Sequence, residues 1–497
     1  MKKYISFLII TFMFIFESCH ESFLNQEYKN GLVDVNFWKT PEHAKSAVTG
    51  VYDVLGFEGQ YLISRKAMGS SAADDQVELH GDYSRVGAGL IELDLYQWHS
   101  ASRYIMDHWY SSYKGIGRAN EVIKNVPKIT SLNADLSKRY VAEAKALRAL
   151  FYFNLVTAFV NVPLIVEPIT LEQTKVLTNS TQAEVWKQII ADLTEASTIL
   201  PVTYPAADLG RVTRGFVYGL LSTVYLWTKE YDKSIAAANN VTGYSLWPNY
   251  ADIFNGVKES SNESILEIMN ASGSPSEDIW HTENSEVNRS LLYGPFYSWS
   301  MFMAPSRSFI DKEFESGDIR KRDMILDLRK GDKFDVNGDG VIDSKDASIM
   351  PTNPPGDAFC LKYVKKGVNL TSGAEWSGGV QTVNVIIMRY SEILLNLAEA
   401  YNESGQSANA LLPLNMVRAR AGLAPVTSTN KTTLQAAILH ERAVEFCFEG
   451  FRFFDLKRAG RLTEVLGSLG FNAGKNELFP IPQTEIDLTK LKQNPGY

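Results

Sequence analysis

At 497 residues, with 45% hydrophobic and 21% charged side chains, the chain has ordinary globular composition and room for several domains or one long helical-repeat body. Its formal net charge of -8 leaves no basic footprint for nucleic acid or for an anionic lipid surface. Seven histidines form no cluster, and the spacing of the cysteines fits neither a zinc site nor a disulfide framework.

In chain order, Lys2 and Lys3 precede an apolar run from Ile5 to Phe16. The run is too short to span a bilayer and suits the core of a signal peptide over residues 1–18. It ends in Glu17-Ser18-Cys19, which resembles the box at which a lipoprotein signal peptidase cleaves, so that Cys19 becomes the acylated N-terminus. Each buried acyl methylene adds about 0.8 kcal/mol to membrane residence, so the chain is expected to be anchored rather than spanning. An ordinary secretory signal with an incidental cysteine is the competing reading.

Helical periodicity dominates the chain beyond this leader. Thr40-Pro41-Glu42 reads as an N-cap with proline at the first helical position, opening a helix to about Leu55. Trp109, Tyr113, Ile116 and Ile123 recur at helical spacing, as do Leu147, Phe151, Leu155 and Phe159 before Pro163. Val217, Leu221, Val224 and Tyr225 repeat the stripe, with a turn near Glu230 and another helix beyond. Late in the chain, Tyr390, Leu394, Leu397 and Tyr401 lead through a Ser404-Gly405 turn into a helix reaching Arg420. These units look like degenerate tetratricopeptide-type hairpins, and the fold class expected is mainly α. Trp109, Trp186 and Trp227 lie on the stripes and should be core.

Two stretches break the pattern. Residues 57–100 are rich in Gly, Ser and Asp, and residues 245–385 carry Gly, Pro and Asn clusters with several Trp and Tyr. The second is too long for a structureless loop and reads as a subdomain inserted on the helical frame, with a short strand near Val383 to Met388. Inside it, Asp335, Asn337, Asp339, Val341 (through its carbonyl), Asp343 and Asp346 stand at the spacing of a calcium loop, with Gly340 at the sharp turn. The competing reading is an Asx-rich surface turn without metal. A structural rather than switching Ca2+ is expected, since there is one loop and no paired partner.

Catalytic signatures are missing: no H-E-x-x-H, P-loop or G-x-S-x-G is present. A carboxylate pair for glycoside hydrolysis can be distant in sequence, so a hydrolase on a helical frame stays open as an alternative. Near the C-terminus, Arg442, Glu445, Glu449, Arg452, Asp455 and Arg458 stand at i,i+3 and i,i+4 spacings, which reads as helix-surface ion pairing. Phe446, Phe448, Phe451, Phe453 and Phe454 among them require deep packing. Cys447 falls within this apolar run and reads as core, with no bridge to Cys360 expected.

Several of these segments together resemble the SusD/RagB family of nutrient-uptake lipoproteins. They are Phe37-Trp38 before the Thr-Pro-Glu helix start; Arg389-Tyr390-Ser391-Glu392; Leu414 through Gly422; Glu441-Arg442 through Glu449-Gly450-Phe451-Arg452-Phe453-Phe454-Asp455; Phe479-Pro480-Ile481-Pro482; and Gln493-Asn494-Pro495-Gly496-Tyr497. The resemblance implies tetratricopeptide-like hairpins forming a right-handed superhelical frame, with a loop-rich inserted subdomain. The parts would be 19–244 and 386–497 as helical frame and 245–385 as insert. It also implies a lipid-anchored protein on the outer face of the outer membrane, partnered with a TonB-dependent SusC-like transporter. The ligand would be an oligosaccharide or polysaccharide, with peptide capture by the same architecture as the alternative. A non-catalytic sugar site needs flat aromatic platforms and a polar rim. Asp74 and Asp75 resemble the family's acidic pair, and Arg85, Tyr96 and Trp98 follow them; Trp280, Tyr293 and Trp299 are candidates from the insert, each weighed against an ordinary core or capping role.

Overall fold

The computed structural model describes residues 37–78, 85–269, 303–333, 341–343, 357–362 and 383–497. The chain enters helix α1 (Pro41–Asp53) as its sequence dictates: the Thr40 hydroxyl accepts from the His43 amide, and Pro41 occupies the first turn, where no amide is needed. Two helices then appear where Gly, Ser and Asp obscure any periodicity, α2 (Ser64–Ser70) and α3 (Arg85–Asp94), separated by strand β1 (Gln76–Glu78). Residues 57–100 are thus less irregular than their composition suggests. All seven residues of α2 are buried, so no amphipathic stripe could mark it.

The frame proper runs through α4 (Arg103–Asn125), α5 (Ala134–Phe159), α6 (Gln182–Ile199), α7 (Arg214–Trp227) and α8 (Tyr231–Asn239), each packed on its neighbour in sequence. Buried polar ties fix their register: Arg148 of α5 holds Asp192 of α6 at 2.7 Å and the Asn120 side chain of α4 at 2.7 Å. α5 ends at Phe159, where Val160 turns to a φ of 67°, shortly ahead of Pro163. Trp109 and Trp186 are buried and Trp227 packs against the same core.

The chain then leaves the frame through β2 (Ser264–Ile268). Its described insert elements are β3 (Met303–Pro305), α9 (Arg307–Glu313), α10 (Ile319–Met324), β4 (Ile325–Asp327) and β5 (Ala358–Cys360), and it returns through β6 (Val385–Arg389). β2 and β6 pair antiparallel, Ser264 opposite Arg389 and Ile268 opposite Val385, so departing and returning strands form one stem. β6 runs straight into α11 (Tyr390–Glu403), which packs on α8 and resumes the array with α12 (Ser407–Arg420) and α13 (Lys431–Glu445). Gly405 supplies the left-handed residue of the α11–α12 turn at φ 82°. The architecture is a mainly α-helical, tetratricopeptide-like solenoid carrying a loop- and strand-rich inserted region.

The C-terminal charges do something other than surface pairing. α13 stops at Glu445, Phe448 and Gly450 adopt φ of 65° and 86°, and α14 (Arg452–Arg458) starts in a new direction. The turn carries the acidic side chains inward. Glu445 is fully buried and binds Arg389, Arg420 and Arg320, the last at 2.9 Å. From it the network extends through Glu263, Glu449, Lys362, Glu441, Asp318 and Arg418, giving five cations and five buried carboxylates in continuous contact. Burial alone would raise the Glu445 pKa; Arg420, Arg389 and Arg320 instead hold it well below the usual carboxylate range. Cys360 and Cys447 lie beside this network as free, buried thiols.

Glu445→Gln would leave the five cations of the network facing four buried carboxylates, one countercharge short. The expected loss is about 3–5 kcal/mol of unfolding free energy, read from urea denaturation. A loss under about 1 kcal/mol, as at an exposed pair, would show that the network does not hold the insert to the frame.

Candidate functional site

The acidic pair sits where α2, β1 and the 448–450 turn meet. α2 and that turn touch backbone to backbone: a Cβ on Gly69 would stand 1.8 Å from the Gly450 carbonyl oxygen, and one on Gly450 would stand 2.7 Å from Lys66 Cα. Only glycine fits at either position. Asp75 closes the contact. Its carboxylate accepts the Phe448 amide at 2.9 Å and the Ser70 hydroxyl at 3.1 Å, while its backbone carbonyl accepts the Ser306 amide at 2.9 Å. Asp74 forms a two-pronged pair with Arg452 at 2.6 and 2.9 Å. Asp74 is committed to Arg452 and Asp75 is fully buried, its Oδ1 without a partner but out of reach of solvent, so neither forms the oxygen rim to a sugar expected from the sequence. They are positioning residues.

What they position is β1. Gln76, Val77 and Glu78 pair antiparallel with Pro305, Ala304 and Met303. This ladder joins the two irregular stretches of the sequence, because Glu78 opens the connection toward α3 and Met303 closes the run beyond β2. Arg85 is the first residue of α3, and its side chain lies outside the described residues, as do Trp280, Tyr293 and Trp299. Of the candidate calcium loop, Asp335, Asn337, Asp339 and Asp346 also lie outside them, while Val341 and Asp343 are described. Cys19 is likewise outside. Among the described residues, no group of three His, Cys, Asp or Glu side chains is placed to hold a metal, and no helix is long and apolar enough to cross a membrane.

Tyr96 and Trp98, expected as stacking platforms, are core. Trp98 is 1% exposed, with Phe479, Tyr96 and Phe453 rings around it at centroid distances of 5.0, 5.5 and 6.5 Å. Its indole N–H donates to the hydroxyl of the C-terminal Tyr497. Tyr96 is 6% exposed at φ 56°, its ring edge-on to Phe471. The polar flanks Gln97 and His99 disguised this because the chain there is a turn, where neighbouring side chains diverge. Sequence reasoning missed Ser70, Phe448 and Gly450; the Glu449-Gly450-Phe451 motif was the available signal for a backbone approach at that position.

Titration behaviour comes from the same geometry. Burial, opposed by the Phe448 amide, pushes the Asp75 carboxyl up to about 7. Unfolded Asp titrates near ~3.9. Between those values the folded chain keeps a proton that the unfolded chain has lost, so this contribution to stability is full below about pH 4 and disappears as pH rises through 7. Glu392, also raised to about 7 by burial, acts in the same direction. Asp75→Asn stays neutral throughout. Its melting temperature relative to the wild type should therefore climb by a few degrees between pH 5 and pH 8; parallel melting curves across that range would refute the assignment.

Comparison with known proteins completes the geometry. Residues 332–497 match the profile of the SusD family, and residues 29–226 match one described as starch-binding, associating with the outer membrane. SusD-like protein P38 of Formosa agariphila is 27% identical over 100% of both chains. Among solved structures, a laminarin-binding SusD-like protein is 30% identical with a TM-score of 0.80, over 92% of this chain and 100% of that one. Surface glycan-binding protein A from Bacteroides thetaiotaomicron is 25% identical with a TM-score of 0.76, over 93% and 100%.

Proposed function

The chain belongs to the SusD/RagB family of outer-membrane nutrient-uptake proteins, and from that premise we propose that it captures a glycan at the cell surface and hands it uncut to a SusC-type, TonB-dependent transporter. Full-length likeness to a protein whose name records laminarin binding supports the ligand class. The observation that carries the site is the β1–β3 ladder, which ties a strand from within each irregular stretch to one buried anchor at Asp75. Flat rings beside such a rigid mount lose little freedom on meeting the apolar face of a sugar. Trp280, Tyr293 and Trp299 are the rings assigned to that role and Arg85 is assigned to the polar rim, Trp299 standing four positions ahead of Met303 in the sequence.

Native gels containing laminarin, starch or other polysaccharides test the reading. Retardation by at least one of them is expected, with about tenfold weaker retention for Trp299→Ala. A chain that runs unretarded in all of them and instead pulls down peptides from a protein digest belongs to the peptide-capture alternative, and release of reducing ends would mark a hydrolase.

Two covalent and ionic additions go with this reading. Acylation at Cys19 places the body on the membrane; palmitate labelling should vanish in Cys19→Ser, and labelling that persists would exclude it. The Asp335–Asp346 segment supplies oxygen ligands for one structural Ca2+ that stiffens the insert. Millimolar calcium should raise the melting temperature by a few degrees in the wild type and not in Asp339→Ala; equal curves with calcium and with EGTA would remove the ion from the account.

A further inference from the structure

A groove on another part of the molecule has the chemistry of a second sugar-contacting surface. Its walls are residues 202–213 between α6 and α7, 242–244 after α8, and 260–269 leading into and through β2. It encloses about 290 Å3, at the lower edge of the ~300–1,000 Å3 range of ligand clefts. It borders the β2–β6 ladder, which is a separate sheet from the β1–β3 seam.

The walls carry two charged side chains, one ion-paired and the other held by amide hydrogen bonds. Arg211 binds Glu143 at 2.7 Å and Asp208 at 3.0 Å. Glu267 accepts the Ser260 amide at 3.1 Å and the Asn384 side-chain amide at 2.8 Å. A ligand entering here meets an ion-paired arginine and a hydrogen-bonded carboxylate, with no free cation among the described residues of the wall to receive an anion, which selects against phosphorylated, sulfated or polyacidic partners. What remains is hydroxyl and amide: exposed Thr203, Thr242 and Asn262, and the Ser264 hydroxyl, which is buried in the wall without a hydrogen-bond partner.

Two half-buried tyrosines supply rings. The Tyr244 hydroxyl meets that of Thr213 at 3.0 Å, and the Tyr204 hydroxyl donates to Glu143 at 3.4 Å, so each ring is tethered at its tip. Gly215 makes the seat of Tyr244, since a Cβ there would stand 2.5 Å from the ring. Leu209 and Met269, both about half exposed, edge the mouth. Fixed rings, apolar edges and a hydroxyl-rich wall without a free cation are complementary to a pyranose, with its apolar C–H face and its hydroxyl periphery.

We propose that this groove is a second carbohydrate-contact site that holds a neutral stretch of the same polysaccharide, an inference that rests on the glycan-capture reading. Two contact points on one chain make the second engagement intramolecular, so a polymer long enough to reach both gains over a short fragment. Isothermal titration of the full chain would use laminarihexaose and laminarin, with maltohexaose and starch in parallel. The variants are Thr242→Trp, which fills the groove from an exposed position, and Tyr244→Ala, with thermal melts confirming that each folds.

The wild type should take two hexasaccharides per chain and Thr242→Trp one, and affinity for the polymer should fall roughly tenfold or more in the variant. One hexasaccharide per wild-type chain, or stoichiometry and polymer affinity unchanged in both variants, would overturn the second site while leaving glycan capture standing. A wild type that binds none of the four probes, and no polysaccharide in the native gels, overturns the capture reading itself and the groove with it.

Discussion

Glu445 lies out of reach of water among Arg320, Arg389 and Arg420, and the arrangement of the described insert results from satisfying it. The three guanidinium groups come from α10, from the end of β6 and from α12, segments far apart in the sequence. A lone buried carboxylate is very costly, and without Glu445 the five buried cations would face only four carboxylates. The stem strands, the insert helix and the C-terminal hairpin meet at this one centre. Such a network contributes less to net stability than its pairs suggest, because desolvation consumes much of the attraction. Its value here is that it admits one register, with Glu263 just ahead of β2 and Lys362 just beyond β5 tied to the same centre.

From that centre the constraint passes outward through the 448–450 turn. Glu449 binds Lys362 and Arg389 on the network side, and Gly450 then lies against α2 without a side chain between. Asp75 takes the Phe448 amide and so fixes the start of β1, and β1 fixes β3. A chain of short, buried polar contacts thus runs from the helical frame to the irregular stretches. Capture on loops mounted this way divides the work: the frame holds position, and the loops are free in composition to suit a ligand. The C-terminus serves the same end, with Asn494 donating to the carbonyls of Phe159 and Phe479 and Tyr497 receiving the Trp98 indole.

A glycan polymer is long compared with any one cleft, and a surface that touches it once releases it quickly. The seam at β1–β3 and the groove beside β2 draw on different sheets and different helices, so composition can change at one without disturbing the other. Among its described residues the groove offers no free cation, because Arg211 is ion-paired and Glu267 is held by amides, which leaves its rim of hydroxyls suited to an uncharged sugar.

Helix existence and pairing were legible in the residues themselves, because a 3.6-residue stripe of Leu, Phe, Tyr and Ala declares a buried face and a Thr-Pro or Ser-Gly step declares an end. On that basis α1, α4, α5, α7, α11 and α12 could be drawn from the sequence alone. So could the depth of the C-terminal phenylalanines and the free state of Cys447. Helix α2 could not be read, since it is buried on every side and periodicity exists only where one face is wet. Nor could the roles of Glu445, Asp74, Asp75, Tyr96 and Trp98: charges at i,i+4 spacing and rings between polar neighbours look the same whether they face solvent or core. Which way a side chain points is decided by what packs against it from distant sequence, by Arg389 on Glu445 and Phe479 on Trp98, and that information is present only once the chain has closed on itself.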